Sequence, residues 1–348
     1  MVASPQPKVA DLGSSPTTRR RACILGTGSA VPAHCFRNTD FPASLQTSDE
    51  WIYSRTGIRE RRYADTNETS ATLGVLASRR ALENAGVQPS EIDLIVCATV
   101  TPETMVPANA CRIQGGLDCR TSIGAFDLNG ACTGFVQGVV VAHQFLASGA
   151  AQRVLVVGTE LLSRAIDFSD RTSCILFGDG AGAVLLGATE EPGQGLLWSR
   201  LYSDGKNGHL IWMPAATTYA LPPLTQGPAP VGNPYLRLNG REVFKFAVRC
   251  LINLVQEAVS SVPLPPGERV FLVPHQVNQR ILDAALPELP IPRERIIVNL
   301  EHHGNTSAAS VPIALDEAVR KGTIQRGDHV VLAAFGGGMT WGAALMRL

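Results

Sequence analysis

Four short stretches of the chain place reactive side chains beside glycines. In residues 127–138, DLNGACTGFVQG, Cys132 follows an apolar strand-like run and precedes a helix-like one. Unpaired N–H groups and the macrodipole at a helix N-terminus favour an anion, so a thiolate there would have a lowered pKa and serve as a nucleophile. Gly130 and Gly134 would allow a sharp turn and a close substrate approach. A buried cysteine at the start of a helix fits the local pattern equally well. In VPHQVNQRI, a strand over 270–273 ends at Pro274 and His275 stands at its exit, with Gln276, Asn278 and Arg280 opening a helix. In EHHGNTSAAS, Asn305 follows Gly304 at another strand exit. Such a histidine is often structural, and such an asparagine often caps a turn. Together, Cys, His and Asn at three strand exits form a set that a fold could bring to one place. AAFGGGMTWG puts three glycines, 336–338, after a buried strand. They could present backbone N–H groups to an oxyanion, form a tight hairpin, or do both.

The elements that must position these residues alternate between strand-like and helix-like patterns. RACILGTGSAVP opens as a strand, SATLGVLASRRALENAGV has helical spacing with a glycine stop, and EIDLIVCATV is a buried strand. SIGAFDLNG, TGFVQGVVVAHQFLASG and RVLVVGTE follow as strand, helix and strand, and SCILFGDGAGAVLLGA reads as a closing pair of strands. The order then repeats. REVFKFAVRCLINLVQEAV is helical and ERVFLVPH a strand; RIIVNLEHHGN is strand plus loop and TSAASVPIALDEAVRKG a helix; DHVVLAAFGGG and MTWGAALMRL are strands. This is the pattern of an α/β protein built from an internal duplication. A tail over 1–20 is expected to be disordered, with one half over 21–195 and the other over 196–348. In this reading Asn305 holds the place of Cys132 in the second half. The Pro- and Gly-rich segment 196–234 reads as an insertion or joining loops. FGDGAG lacks the spacing and the lysine of a phosphate loop, and is read as packing glycine.

Composition narrows the function. The 348 residues are 45% hydrophobic and carry 30 basic and 30 acidic side chains, which leaves no electrostatic footprint for nucleic acid or an anionic membrane. No run of about 18 apolar residues could span a bilayer. Eight cysteines occur without a CxxC pair, which argues against structural zinc and for reduced thiols in a cytoplasmic protein. The first 20 residues lack the apolar core of a secretory signal.

The chain resembles the β-ketoacyl-[acyl carrier protein] synthase III family of condensing enzymes. The likeness rests on TSDEWIYSRTGIRERR, FDLNGACTGF, DRTSCILFGDGAGA, NGREVFKFAV, VPHQVNQRI, HHGNTSAASVPIALDEA and AFGGGMTWGAAL. It implies the thiolase fold, five layers in the order αβαβα from two duplicated halves, and a homodimer. It implies that Cys132 takes an acyl group from acyl-CoA and that malonyl-[acyl carrier protein] then enters. His275 and Asn305 would stabilise the enolate formed as CO2 leaves. Backbone N–H groups of Cys132 and Gly337 would form the oxyanion hole, and Phe335 would sit beside the cysteine. Trp51 and Arg171 would sandwich the adenine of CoA, Arg55 would meet phosphate, Asn278 would lie near the pantetheine, and Arg280 and Lys245 would meet the carrier protein. Val106 matches a position that closes the acyl pocket from the partner subunit and is a bulky Phe in some members; the smaller side chain would admit longer or branched acyl groups. No metal or cofactor is implied. Related acyltransferases and condensing enzymes of natural-product pathways share the cysteine and are the alternative.

Overall fold

The computed structural model describes residues 20–214, 234–265 and 267–348. The expected N-terminal tail, up to residue 19, and most of the segment read as joining loops, 215–233, lie outside the described residues. The first half runs β1 (Arg21–Ala30), β2 (Cys35–Arg37), α1 (Asp49–Thr56), β3 (Glu60–Arg62), α2 (Ser70–Ala85), β4 (Leu94–Ala98), α3 (Asn109–Gly116), β5 (Gly124–Leu128), α4 (Gly134–Ala147), β6 (Arg153–Leu161) and β7 (Asp179–Thr189). The second runs β8 (Gly195–Ser203), β9 (Ile211–Trp212), β10 (Arg237–Leu238), α5 (Gly240–Ser260), β11 (Val270–Pro274), α6 (Gln279–Ala285), α7 (Leu300–His303), α8 (Ser310–Arg320), β12 (His329–Gly336) and β13 (Thr340–Arg347).

Local chemistry explains the boundaries. α2 starts where Thr69 accepts a hydrogen bond from the Thr72 N–H, and Thr72 answers to the Thr69 backbone; it stops at Gly86 in the left-handed region. Gly28 in β1 is required by packing, because a Cβ there would sit 2.3 Å from the Ala77 carbonyl oxygen of α2.

Two sheets repeat one plan. The first has the order β1-β7-β6-β4-β5, the second β8-β13-β12-β11. In both, the first-named pairs are antiparallel, and the pairs β6–β4, β4–β5 and β12–β11 are parallel. Apolar residues of α4 and α8 form one core with the inner faces of both sheets. α2 and α3 cover the outer face of the first sheet, and α5 and α6 that of the second. The result is the expected five layers, αβαβα.

Three sequence expectations change. Residues 196–203 are not joining loop: β8 pairs along β13 and is the counterpart of β1. SCILFGDGAGAVLLGA forms one strand, β7, instead of two. The Asp170 side chain accepts hydrogen bonds from Thr172 N, Thr172 Oγ1 and Ser173 Oγ, and so holds the preceding residues in turns. The strand expected in RIIVNLEHHGN reduces to an isolated parallel bridge between Leu272 and Ile296. Asn299 then leaves the extended region (φ −135°, ψ 10°) and α7 begins.

Candidate active site

Two turns of nearly the same backbone shape face each other between the sheets. Cys132 lies in a single turn of 3-10 helix, Ala131–Thr133, just ahead of α4. A matching turn, Ser307–Ala309, precedes α8. Ala131 (φ 47°) and Ser307 (φ 49°) both adopt the left-handed region. By this match the counterpart of Cys132 is Ala308, and that of Asn305 is Asn129. The expected equivalence of Cys132 with Asn305 is therefore off by three residues, although both do stand at the two helix mouths. Each turn rests on a strand of the other half. A Cβ on Gly336 of β12 would lie 2.8 Å from Cys132 Cβ, and one on Gly158 of β6 would lie 2.3 Å from the Ala308 carbonyl oxygen.

Cys132, His275, Asn305, Phe335 and Gly337 line one cavity of about 1030 Å³. His275 is buried at the end of β11; its N–H donates to the Ala333 carbonyl at 2.7 Å, and its ring meets that of Phe335 edge-on at 5.7 Å. Its Nδ1 is 2.7 Å from Ser310 Oγ. That hydroxyl oxygen also accepts from the Gln276 N–H at 3.4 Å; in the tautomer in which it donates to Nδ1, the imidazole carries its proton on Nε2. Asn305 is held as firmly. Its N–H donates to the Leu176 carbonyl, its carbonyl accepts from the Gly178 N–H, and its Oδ1 accepts from the Ser307 N–H at 2.8 Å. With Oδ1 engaged, the amide NH2 is the group this side chain can offer a substrate. Gly304 before it adopts φ 63°, and a Cβ there would meet the Leu176 carbonyl oxygen at 2.8 Å. The Thr133 and Thr340 hydroxyls, 2.8 Å apart, tie the cysteine turn to β13 beside the three glycines.

The electrostatics depart from expectation at the thiol. Cys132 is half-buried, and the atoms packed around its sulfur push its pKa up to about 12; the Ser307 side chain works against this, and the charge of Glu160 adds to it. The lowered pKa expected of a helix mouth is thus overridden by desolvation. Burial also holds His275 down, to about 3, so its imidazole is neutral.

Glu160, at the end of β6, is a site residue that the sequence reading missed. It is fully buried, and its carboxylate accepts hydrogen bonds from the Val100 and Thr101 N–H groups and from the hydroxyls of Thr99, Thr101 (2.6 Å) and Ser307 (3.1 Å). Desolvation outweighs these neutral donors and raises it to about 7. The signal was an ionisable residue closing the apolar run RVLVVGTE. Ser307 and Ser310 were hidden in TSAAS, where small residues read as packing.

The other expected residues lie at the rim or on the surface. Trp51 carries the guanidinium of Arg55 at 4.2 Å and that of Arg171 at 5.2 Å from its ring centre. Asn278 caps α6, lines the cavity and donates to the Arg55 carbonyl at 3.1 Å. Arg280 is exposed, and Lys245 pairs with Glu242 on the exposed face of α5. Val106 is not part of the cavity wall of its own chain; it is 86% exposed, next to Met105 at 70%.

Comparison with known proteins gives this arrangement its relatives. Residues 126–205 match the family described as 3-oxoacyl-[acyl-carrier-protein] synthase III, and residues 263–348 its C-terminal part. The chain is 47% identical over 324 residues to the β-ketoacyl-[acyl-carrier-protein] synthase III of Xanthomonas campestris pv. campestris, covering 93% of this chain and 97% of that one. Among solved structures, 3-oxoacyl-[acyl-carrier-protein] synthase III of Aquifex aeolicus VF5 superposes with a TM-score of 0.85 at 40% identity, over 94% of this chain and all of that one. The priming β-ketosynthase of the R1128 polyketide pathway superposes with 0.86 at 38%, over 95% and 97%. A chain this similar over nearly its whole length, with this fold, belongs to the 3-oxoacyl-[acyl-carrier-protein] synthase III family.

Proposed function

We propose that the protein condenses an acyl-CoA starter with malonyl-[acyl carrier protein] to give a 3-oxoacyl-[acyl carrier protein], CoA and CO2, the first condensation of fatty acid synthesis. The observation that carries this reading is the state of the two partners of Cys132. Nδ1 of His275 is held against the Ser310 hydroxyl and Oδ1 of Asn305 accepts from the Ser307 N–H, which leaves Nε2 and the amide NH2 to offer N–H groups to the cavity that holds the thiol. A plain acyl transfer has no use for such a pair; an enolate oxygen does.

Cys132 attacks the thioester and retains the acyl group as CoA departs. The malonyl thioester oxygen then lies between His275 Nε2 and the Asn305 amide, which hold the charge released as CO2 leaves. A neutral imidazole suits this role, because an imidazolium would protonate the enolate. The edge-on ring of Phe335 keeps the carboxylate side apolar and favours loss of CO2. The carbanion attacks the acyl-cysteine, and the N–H groups of Cys132 and Gly337 receive the tetrahedral oxyanion. Decarboxylation itself generates the nucleophile, so the reading requires no metal or cofactor.

The protein is further proposed to act in the cytoplasm as a homodimer in which Val106 reaches the acyl pocket of the partner subunit. CoA would enter past Asn278, with Arg55 on phosphate, and Arg280 and Lys245 would receive the acidic carrier. Adenine between Trp51 and Arg171 needs two stacking contacts, about 7 Å in all, so the 5.2 Å contact must open on binding. The likeness to a polyketide priming synthase supports a second reading, in which the same condensation primes a natural-product chain. One experiment tests both. The protein is incubated with a series of acyl-CoAs, the mass gained at Cys132 is measured, and malonyl-[acyl carrier protein] is then added. Acetyl or short acyl transfer with CO2 release supports fatty acid initiation, preference for a long or unusual starter supports the second reading, and acylation without CO2 release overturns both.

A further inference from the structure

We infer that Glu160, acting through the Ser307 hydroxyl, takes the proton that Cys132 gives up when it becomes a nucleophile. The inference rests on the reading of Cys132 as acyl acceptor and adds how that thiol is activated.

The geometry is a short chain of groups that starts at Cys132 in the first half, passes through Ser307 of the second half and returns to Glu160 in the first. Ser307 Oγ donates to Glu160 Oε1 at 3.1 Å, and Ser307 and Cys132 line the same cavity from two turns packed against each other. Ser307 is held in the left-handed region, and its N–H is committed to Asn305 Oδ1, which aims the hydroxyl. The carboxylate at the end of the chain is fully buried, and every donor it receives is neutral, three hydroxyls and two backbone N–H groups. Among the described residues, two thiols feel its charge, Cys97 in β4 and Cys132. Among the described residues no cation pairs with it, and a buried carboxylate in that position is costly to keep and ready to accept a proton, consistent with its rise to about 7. The imidazole is the poorer acceptor, since its Nδ1 is engaged by the Ser310 hydroxyl and burial opposes a charge on the ring.

The transfer balances. The thiol proton passes to Ser307 Oγ while the Ser307 proton passes to Glu160 Oε1. The site keeps one negative charge, moved from carboxylate to sulfur. The thiolate attacks the thioester, the carbon–sulfur bond to CoA breaks, and the CoA thiolate recovers the proton from Glu160 by the same hydroxyl and leaves as the thiol.

The test is the pH dependence of Cys132 alkylation by iodoacetamide on the full chain, read at the Cys132 peptide because the exposed Cys111 would react as well. The expected wild-type rate rises through an inflection near neutrality. Glu160→Gln removes that inflection and slows alkylation at pH 7.5 at least tenfold, and Ser307→Ala does the same with the carboxylate retained. A structural or purely electrostatic role predicts the reverse for Glu160→Gln, because the Glu160 charge raises the thiol pKa and its loss would speed the reaction. Unchanged or faster alkylation in folded Glu160→Gln, or an unmoved inflection in Ser307→Ala, overturns the inference, and Ser307→Ala carries the decision if Glu160→Gln does not fold. Incubation of the same samples with acyl-CoA separates the two levels. A wild type that alkylates at Cys132 but is never acylated there fails the proposed function, whereas an acylated wild type whose variants keep its pH profile fails the relay alone.

Discussion

The turn before α4 and the turn before α8 share a backbone and divide the work. The first carries one reactive group, Cys132. The second carries the groups that orient the rest: Asn305 at its entry, Ser307 between Glu160 and the thiol, and Ser310 against His275. A duplicated fold brings two helix mouths together about one cavity, and the copies are then free to diverge. What the pair teaches is that the nucleophile needs little of its own turn beyond a place in it. Much of its environment comes from the opposite half, through Gly336, Ser307 and His275, while Glu160 of β6 acts on it from its own half.

The most severe break is at the nucleophile. Cys132→Ala places in the first turn the residue that its twin already holds at Ala308, so the fold should be kept. Acylation by acyl-CoA should fall by at least about 10³-fold. Intact-protein mass and a thermal melt on the same sample check both halves of this expectation.

Asn305→Ala should separate the two chemical steps. Removal of one preorganised donor costs about 10²–10³ in rate at an oxyanion. The loss should fall on the condensation, with the acyl-enzyme still forming, as followed by CO2 release and by mass at Cys132. The same change at the twin position, Asn129→Ala, should cost a tenth of that or less. Equal losses at both positions would mean that the turns have not divided their roles in this way.

The supporting glycines give a smaller and symmetrical contrast. Gly336→Ala pushes a methyl into the Cys132 backbone, 2.9 Å from its nitrogen, and Gly158→Ala pushes one into the Ala308 carbonyl. Each should cost about 1–3 kcal/mol of stability by overpacking, measurable in urea. Displacement of a reacting group by about 1 Å is worth up to roughly 10² in rate. Gly336→Ala should therefore slow acylation, and Gly158→Ala the condensation that depends on Asn305.

This contrast also marks how far the sequence could be read. The five layers follow from apolar periodicity and its repetition, since burying the faces of β4, β6, β12 and β13 leaves few arrangements. Cys132, His275 and Asn305 could be placed at element exits from their glycine and proline neighbours. β8 was missed because its outer half is exposed and it runs into a Pro-rich stretch, so its strand character comes from pairing with β13. The direction of the thiol pKa was missed because a helix mouth is visible in the sequence while the atoms crowding the sulfur come from distant residues. Glu160 and the two serines were missed for the same reason: their roles lie in contacts across the halves.

In the wild type the least visible contrast is a pH signature of the two groups that the second turn holds, because their contributions oppose each other. His275 has a native pKa near 3 against about 6.5 when unfolded. Below 6.5 the unfolded chain binds a proton that the native imidazole refuses, so this group makes stability fall as pH drops from 6.5 toward 3, with a slope of up to about 1.4 kcal/mol per pH unit. Glu160 has the opposite sign. Its native pKa is near 7 against 4.5, so the native state holds the extra proton and this group makes stability fall as pH rises from 4.5 toward 7. Between 4.5 and 6.5 the two slopes oppose each other in the wild type. Urea titrations across this range should pull them apart. Glu160→Gln should lose stability steadily below pH 6.5, whereas His275→Asn should gain stability as the pH is lowered from 7 to 4.5. If both variants keep the wild-type profile, the two groups are not held in the protonation states on which the division between the turns depends.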